Sequence, residues 1–551
     1  MNFLAAAIDK PFVPGWTDPG VGLRPFAPEL WLIGAIVAVL LVPFFTRRSN
    51  IACGATALIG LIVALLATLI VGTSEGVVGL HFRGLLVVDP VAVFFKGLLF
   101  LFVIGIILMW LCTTASTMHE GDGPEFFTLL LGATLGMSLM ASTSNLLMLF
   151  MSVELASLPS YVLAGFRKTN RIGAEASLKY VLFGAVTSSV MAYGLSLLYG
   201  LYGTLQVEEL AHQMTTSSVG STALLTVAIF GILIGVGFKI SAVPFHFWCP
   251  DVFEGASIDV SAFLSVASKG AGLILLMRVL MILASTAGWK DVPGISLSSI
   301  AIVVGIIGSI TATVGNTAAY VQTNIKRLLA YSSIAHAGYM MCALSMLLVG
   351  RGAEANFEDP ASAAAQAILL YLAVYLFMNL GAFMTAGLIY RQTGSEDIRD
   401  YAGLGRRSPL LALCMFCCLI SLIGLPPFAG FVAKLNLLWV LFRSGGWWIA
   451  LIVVIGVNTI LSAFYYFRVI RAMYLESSDK PAFFPNPLGL AISGLCSIVL
   501  VLLFIGWGPL GRATDYFSHF YLGHSLTAQH VSDPGSNPGN PPSMSTVSAQ
   551  R

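Results

Sequence analysis

GFKISAVPFHFWCPDVFEGA, residues 237–256, decides how this chain folds. It closes an apolar run and sets Lys239 inside it, with Pro244 five residues further on. Proline removes a backbone donor and disfavours helix at the residue before it, so the stretch predicts a helix interrupted within its span. In lipid, irregular backbone survives only when packed in protein or lining a wet cavity. A second stretch repeats the pattern. GLPPFAGFVAKL, residues 424–435, places Pro426 and Pro427 between two glycines, just ahead of Lys434. Interrupted helices at matching places in two halves of a chain point to a transporter's working site. A plain proline kink is the alternative for either break alone, and two matched breaks beside two matched lysines argue against it.

Outward from these stretches, the 551 residues are 57% hydrophobic and only 10% charged, with a mean hydropathy of +0.88. Soluble domains carry about 25% charged residues, so this composition excludes them. A net charge of +2 without a basic tract gives no footprint for nucleic acid. A spanning helix needs about 20 mostly apolar residues. Such runs recur about fourteen times and predict an all-α polytopic membrane protein of about 14 transmembrane helices.

The seventh and twelfth spans are the broken ones. Lying five spans apart, they predict two inverted five-helix repeats, spans 4–8 and 9–13. The lysine precedes the break in one and follows it in the other, as inversion requires. The expected segments are 28–120 for the first three helices, 121–290 and 291–475 for the repeats, and 476–520 for helix 14. An outer N-terminal segment (1–27) and a mobile outer tail (521–551) flank them. The tail is too rich in Ser, Pro, Gly, Asn and Gln to fold alone.

Lys and Arg set orientation. With both termini on the periplasmic side, inside loops collect tight clusters such as Arg47-Arg48, Arg167-Lys168, Lys326-Arg327 and Arg406-Arg407. The outside keeps mostly single residues. The N-terminus lacks the basic region and apolar core of a cleavable signal peptide, so none is expected.

Five ionisable side chains lie inside long apolar runs: Glu154, Lys179, Lys239, Lys269 and Lys434. A charge near the bilayer centre costs from about 2.5 to more than 10 kcal/mol, and chains that keep such groups use them as stations for ions or protons. A lysine denied water favours its neutral form, and a nearby carboxylate opposes that preference. A Glu–Lys pair whose separation changes can therefore move a proton. Glu154 is expected to act on Lys239 in this way, with onward transfer to Lys269 and Lys434. His336 either bridges those two lysines or packs as a hydrogen-bonded histidine.

Other polar groups get structural readings. Lys179 is either a relay member or a counter-charge to Glu154, and His246 either admits protons at the inner mouth or is an interfacial structural residue. Asp251 and Glu254 are expected as loop caps, while Lys96 and Arg278 are expected to reach water from near the span ends. Cys414, Cys417 and Cys418 form C-x-x-C-C inside a span and read as small buried side chains, with no metal or redox role expected.

The quoted stretch and VSAFLSVASKGAG (260–272) resemble the antiporter-like membrane subunits of respiratory complex I. Within these the likeness is to subunit N, also called subunit 2. MSVELASLPSYVLAGF (151–166), EASLKYVLFGA (175–185), KRLLAYSSIAHAGY (326–339), YLFMNLGAF (375–383) and GLPPFAGFVAKL (424–435) match in the same order. The resemblance spans roughly residues 28–475. It implies that Glu154, Lys179, Lys239, Lys269 and Lys434 occupy the family's functional positions on its fifth, sixth, seventh, eighth and twelfth helices. At the last position the related subunit M tends to carry glutamate. One departure stands out: where the family usually reads Pro-Thr-Pro, this chain reads Ser257-Ile258-Asp259. Ser or Asp there can still cap the next helix, and an altered proton route through Asp259 is the other reading.

The resemblance implies a proton-translocating subunit of an NADH-quinone oxidoreductase in the inner membrane. It implies no cofactor in this chain, with NADH, flavin, iron–sulfur clusters and quinone on partner subunits. Expected partners are subunit M, small membrane subunits such as K and J, the lipid bilayer and protons. Two alternatives stay open at this point: a subunit of a multi-subunit cation/proton antiporter, or a structural membrane-arm subunit without its own proton path.

Overall fold

Each long apolar run becomes a helix, because a backbone in lipid must satisfy its N–H and C=O groups within itself. The computed structural model describes residues 22–518 except 47–48, 75–76, 116–117, 120, 168–169, 217–220, 287–295 and 350–359. The expected outer segments at both termini therefore lie mostly outside the described residues, as do Arg47, Arg48 and Lys168 of the charge pattern.

The chain opens with α1 (Ala27–Leu41) and α2 (Asn50–Thr73). A hairpin of β1 (Gly79–His81) and β2 (Leu86–Val88) follows, paired antiparallel with Gly79 opposite Val88. Next come α3 (Pro90–Thr113), α4 (Gly123–Ser142), α5 (Leu146–Ala164), α6 (Arg171–Tyr202) and the short α7 (Val207–Thr216). The first interrupted span is α8 (Thr222–Ile240), and the short α9 (Trp248–Gly255) follows its break, beyond the membrane-spanning segment. After it, α10 (Ile258–Phe263) passes through a π-helical turn, Leu264–Ser268, into α11 (Lys269–Thr286). Then follow α12 (Leu297–Ala319), α13 (Ile325–Leu344), α14 (Pro360–Thr393) and a single turn, α15 (Leu404–Arg407). The second broken span is α16 (Pro409–Ile423) and α17 (Ala429–Ser444), and α18 (Trp448–Leu475), α19 (Pro487–Ile505) and α20 (Trp507–Phe517) complete the chain.

Among the described residues, 12 helices are long and apolar enough to cross a membrane. Two of the expected spans are not among them. Helix α13 carries Lys326, Arg327, His336 and four serines or tyrosines in its middle, and the interrupted α16/α17 pair is too short in each half. Both breaks lie where the prolines predict. Ser241 ends α8 at φ 65, and Gly424 ends α16 at φ 83. The segment α10–α11 and the 34-residue α14 are wrapped on all sides. Helices such as α6 show apolar side chains, Leu178, Leu182 and Val186 among them, on an outward face suited to lipid.

Several local features occur twice. Asn145 caps α5 by accepting from the Leu147 and Met148 amides, and it forms a β-bridge with Gln206 beyond α6. Asn324 caps α13 from the Lys326 and Arg327 amides and bridges Asp397 beyond α14. A methyl on Gly136 of α4 would lie 2.3 Å from the Ala156 nitrogen, and one on Gly315 of α12 would lie 2.6 Å from the Ala335 nitrogen. The same sequence spacing separates Asn145 from Asn324, Gly136 from Gly315 and Ala156 from Ala335. The two bridges sit at opposite ends of the bundle. The Asn324 bridge shares its end with Gly255, whose carbonyl Asn170 contacts one helix away from Asn145.

Four sequence expectations are corrected here. Lys96 is buried and pairs with fully buried Glu29 of α1 at 2.7 Å, while Ser138 donates to the same carboxylate at 2.6 Å. Arg278 is buried and grips Asp89 with two bonds of 2.8 and 2.9 Å. Neither reaches water, and a cation at such depth persists only with a partner. Ser257 precedes α10 without a side-chain capping bond, and buried Asp259 accepts from Thr114 at 2.8 Å. Asp251 and Glu254 are not caps: both accept from Arg327, at 2.8 and 2.5 Å.

Candidate functional site

Three buried lysines form a row through the centre, and each is placed by a helix irregularity. Lys239 lies in the last turn of α8, where the left-handed Ser241 ends the helix. Its exposure is 1%, and its Nζ donates to Ser157 Oγ of α5 at 3.0 Å. Glu154 stands one turn before Ser157 on the same face of α5. It forms no ion pair with Lys239 among the described residues, and its Oε1 is buried without a hydrogen-bond partner. It is close enough to act on Lys239 through space.

Lys269 follows the π-helical turn, which offsets the helix register at that point. π-turns inside α-helices recur at functional sites. Its Nζ donates to Ser333 Oγ of α13 and contacts Cys249 Sγ at 3.4 Å, with the Phe253 ring 5.5 Å away. Lys434 lies in the second turn of α17. Its Nζ donates to the Ile423 carbonyl at 2.8 Å, the acceptor left free where α16 ends, and lies 4.9 Å from the Tyr339 ring. Gly424 is needed twice at this break: its φ is positive, and a Cβ there would sit 2.7 Å from Lys434 Cδ.

Helix α13 links the second and third lysines. Ser333, His336 and Tyr339 recur every three residues on it, and all three are buried. His336 Nδ1 lies 2.6 Å from the Tyr371 hydroxyl, with the Tyr375 and Tyr339 rings 5.2 and 5.7 Å away. Both Lys269 and Lys434 are within electrostatic range of it. The histidine thus has a packing partner and also stands between the two lysines.

Lys179 lies elsewhere. It is 41% exposed and pairs with Glu175 and with Asp251, each at 2.8 Å, so Glu154 is not its partner. Asp251 also accepts from Arg327. Burial alone would raise its carboxyl, but the hydrogen bonds from Lys179 and Arg327 outweigh burial and hold it below the usual carboxylate range. His246 is buried beside the exposed Phe247, and its Nδ1 has no hydrogen-bond partner. Cys414, Cys417 and Cys418 carry free thiols.

Sequence reading missed Ser157, Cys249, Ser333 and Tyr339, the groups that hold the lysines. One signal was present for most of them. Glu154-x-x-Ser157 and Ser333-x-x-His336-x-x-Tyr339 put polar groups on single faces of otherwise apolar helices.

Comparison with known proteins adds to this geometry. The sequence profile of the family described as NADH:quinone oxidoreductase/Mrp antiporter, TM, matches residues 143–460. NADH-quinone oxidoreductase subunit N of Anaeromyxobacter sp. (strain Fw109-5) is 39% identical over 90% of this chain and 97% of its own length. The chloroplastic NAD(P)H-quinone oxidoreductase subunit 2 of Mesostigma viride is 38% identical over 83% of this chain and 86% of its own. A chain of respiratory complex I from Thermus thermophilus superposes with a TM-score of 0.71 at 30% identity, covering 89% of this chain and 99% of that one. A chain of the Mrp complex from Dietzia sp. DQ12-45-1b shares the fold, with a TM-score of 0.73 at 19% identity.

Proposed function

We infer the role of this chain from its membership: it belongs to the NADH:quinone oxidoreductase/Mrp antiporter family and, within it, to subunit N of NADH-quinone oxidoreductase. It is a multi-pass, proton-translocating membrane subunit of that complex. The finer reading proposed here is that Lys239, Lys269 and Lys434 are successive proton stations, with Glu154 modulating the first and His336 bridging the last two.

One observation carries this reading. Each of the three lysines has a neutral partner, a hydroxyl, a thiol or a carbonyl, and none has a carboxylate within ion-pairing distance among the described residues. A lysine that loses its proton beside a neutral acceptor strands no counter-charge. Lys96, Arg278 and Lys326, by contrast, pair with Glu29, Asp89 and Glu396, and neutralising the cation would leave a carboxylate uncompensated, fully buried at Glu29 and Asp89 and partly buried at Glu396. This contrast supports reading the three lysines as proton-exchanging groups and the ion-paired cations as groups that hold the bundle. Lys179, paired with two carboxylates, belongs with the second group.

Fourteen spans, with inverted repeats over helices 4–8 and 9–13, fit the duplicated asparagine bridges at opposite ends of the bundle. Loops rich in Lys and Arg favour the inner membrane with both termini on the periplasmic side. Electron carriers (NADH, flavin, iron–sulfur clusters and quinone) are assigned to partner subunits, with subunit M and small subunits such as K and J as neighbours. Moving one charge against the membrane potential needs about 2.3 kcal/mol per 100 mV, and quinone reduction elsewhere in the complex supplies it.

The test is NADH-driven acidification of inverted membrane vesicles. Lys239→Ala, at wild-type assembly, is expected to abolish most acidification and to slow quinone reduction with it. Wild-type values for both would remove Lys239 from the pump cycle and favour a structural role for the chain.

A further inference from the structure

Between the first and second lysines lie two phenols that the relay above does not use. Tyr161 is on α5, one turn beyond Ser157 and on the face that carries Glu154. Tyr180 is on α6. Their rings meet edge to face, with centroids 4.6 Å apart and planes at 80°. Tyr180 also stacks on Trp248 at 4.2 Å and 10°, and the Trp248 indole donates to the Phe238 carbonyl at 3.2 Å, one residue before Lys239. The two rings are thereby fixed against the first helix break.

Their hydroxyls are not explained by packing. Both oxygens are buried, and neither has a hydrogen-bond partner among the described residues. Phenylalanine at either place would pack the same ring without burying an unpaired polar group, which is costly. The surroundings of these oxygens connect the two lysines. Ser157, which holds Lys239, and Glu154 lie within interaction range of Tyr161. Tyr161, Cys249 and Ser268 lie within range of Tyr180. Cys249 contacts Lys269, and Ser268 immediately precedes it with a buried hydroxyl that is likewise unpartnered. The backbone of α6 leaves room as well: a methyl on Gly184 would fall 1.9 Å from the Tyr161 hydroxyl oxygen.

We propose that the Tyr161 and Tyr180 hydroxyls carry protons between Lys239 and Lys269, an assignment that rests on the lysine relay above. In each hop the phenol oxygen takes up the incoming proton and releases its own hydrogen to the next acceptor. No charge stays on either ring. The Lys239 ammonium ends as a neutral amine and the Lys269 amine as an ammonium, with water supplying the intervening hops.

The experiment uses the intact complex in inverted vesicles, with Tyr161→Phe, Tyr180→Phe and the double variant. Tyr202→Phe is the control, since that hydroxyl is also buried and unpartnered but lies at the far end of α6. The double variant is expected to lower acidification at least about tenfold, the low end for loss of a positioned proton-transfer group falling near a hundredfold. Each single variant should raise the solvent deuterium isotope effect on acidification, and Tyr202→Phe should change neither. Wild-type acidification and isotope effect in the double variant overturn the assignment. If that complex fails to assemble, two single variants at wild-type rate and isotope effect overturn it equally. Lys239→Ala run in parallel separates the two ideas: lost acidification there with full activity in the double variant sinks the tyrosines alone, while full activity in both sinks the relay.

Discussion

At the scale of the residue, what sets the three proposed proton stations apart from the ion-paired cations is a neutral partner. Ser157 is the acceptor for Lys239, and a hydrogen bond to a charged group contributes about 1.5–3 kcal/mol. Ser157→Ala is therefore expected to loosen Lys239 and lower NADH-driven acidification at unchanged assembly, with Ser157→Thr restoring it. Arg278→Ala should act differently. It removes the guanidinium that compensates the buried Asp89 carboxylate, a loss of about 3–5 kcal/mol, and the expected result is less assembled subunit on native gels. The ionisable groups were legible in the sequence because they interrupt apolar runs. Their partners were not. Nothing in the sequence near Lys96 points to Glu29, and nothing near Lys179 points to Asp251 rather than Glu154, because these pairs form only when distant helices pack.

At the scale of the element, the two helix breaks and the π-turn set where the lysines point. Proline and glycine chemistry acts locally, so both breaks could be placed from sequence to within a few residues. The π-turn at Leu264–Ser268 could not, since no residue in LSVAS forbids ordinary helix. The π-turn is a product of packing. The sequence counts α13 among the spans despite its polar middle, and its buried Ser333, His336 and Tyr339 link it to both Lys269 and Lys434. Gly424→Ala tests the second break. A left-handed non-glycine residue costs roughly 1–2 kcal/mol, and the added methyl would press on Lys434. The expected outcome is a lower melting temperature of the complex, together with reduced acidification. Gly456→Ala, where no atom lies near the added methyl, should leave both unchanged.

At the scale of the whole molecule, distant helices are tied at one end of the bundle by a lattice of charges. Asp251 accepts from Lys179 and Arg327, Arg327 also holds Glu254, and Lys326 bonds the Glu254 and Ala256 carbonyls and the Glu396 carboxylate. Folding lowers the Asp251 carboxyl, so its contribution is present above the ordinary carboxylate range and is lost as pH falls through the lowered value. The group is partly solvated, and the effect is on the order of 1 kcal/mol. Asp251→Asn should melt earlier than wild type at neutral pH, and the two should converge in acid strong enough to protonate the carboxyl.

Lys269 ties α11 to α13 through its bond to Ser333. The most direct measurement records quinone reduction and acidification together in inverted vesicles carrying Lys269→Ala at wild-type assembly. The account predicts that acidification is lost and quinone reduction slows with it. Full acidification at the wild-type proton-to-electron ratio would contradict it, because no proton could then be passing through the central lysine.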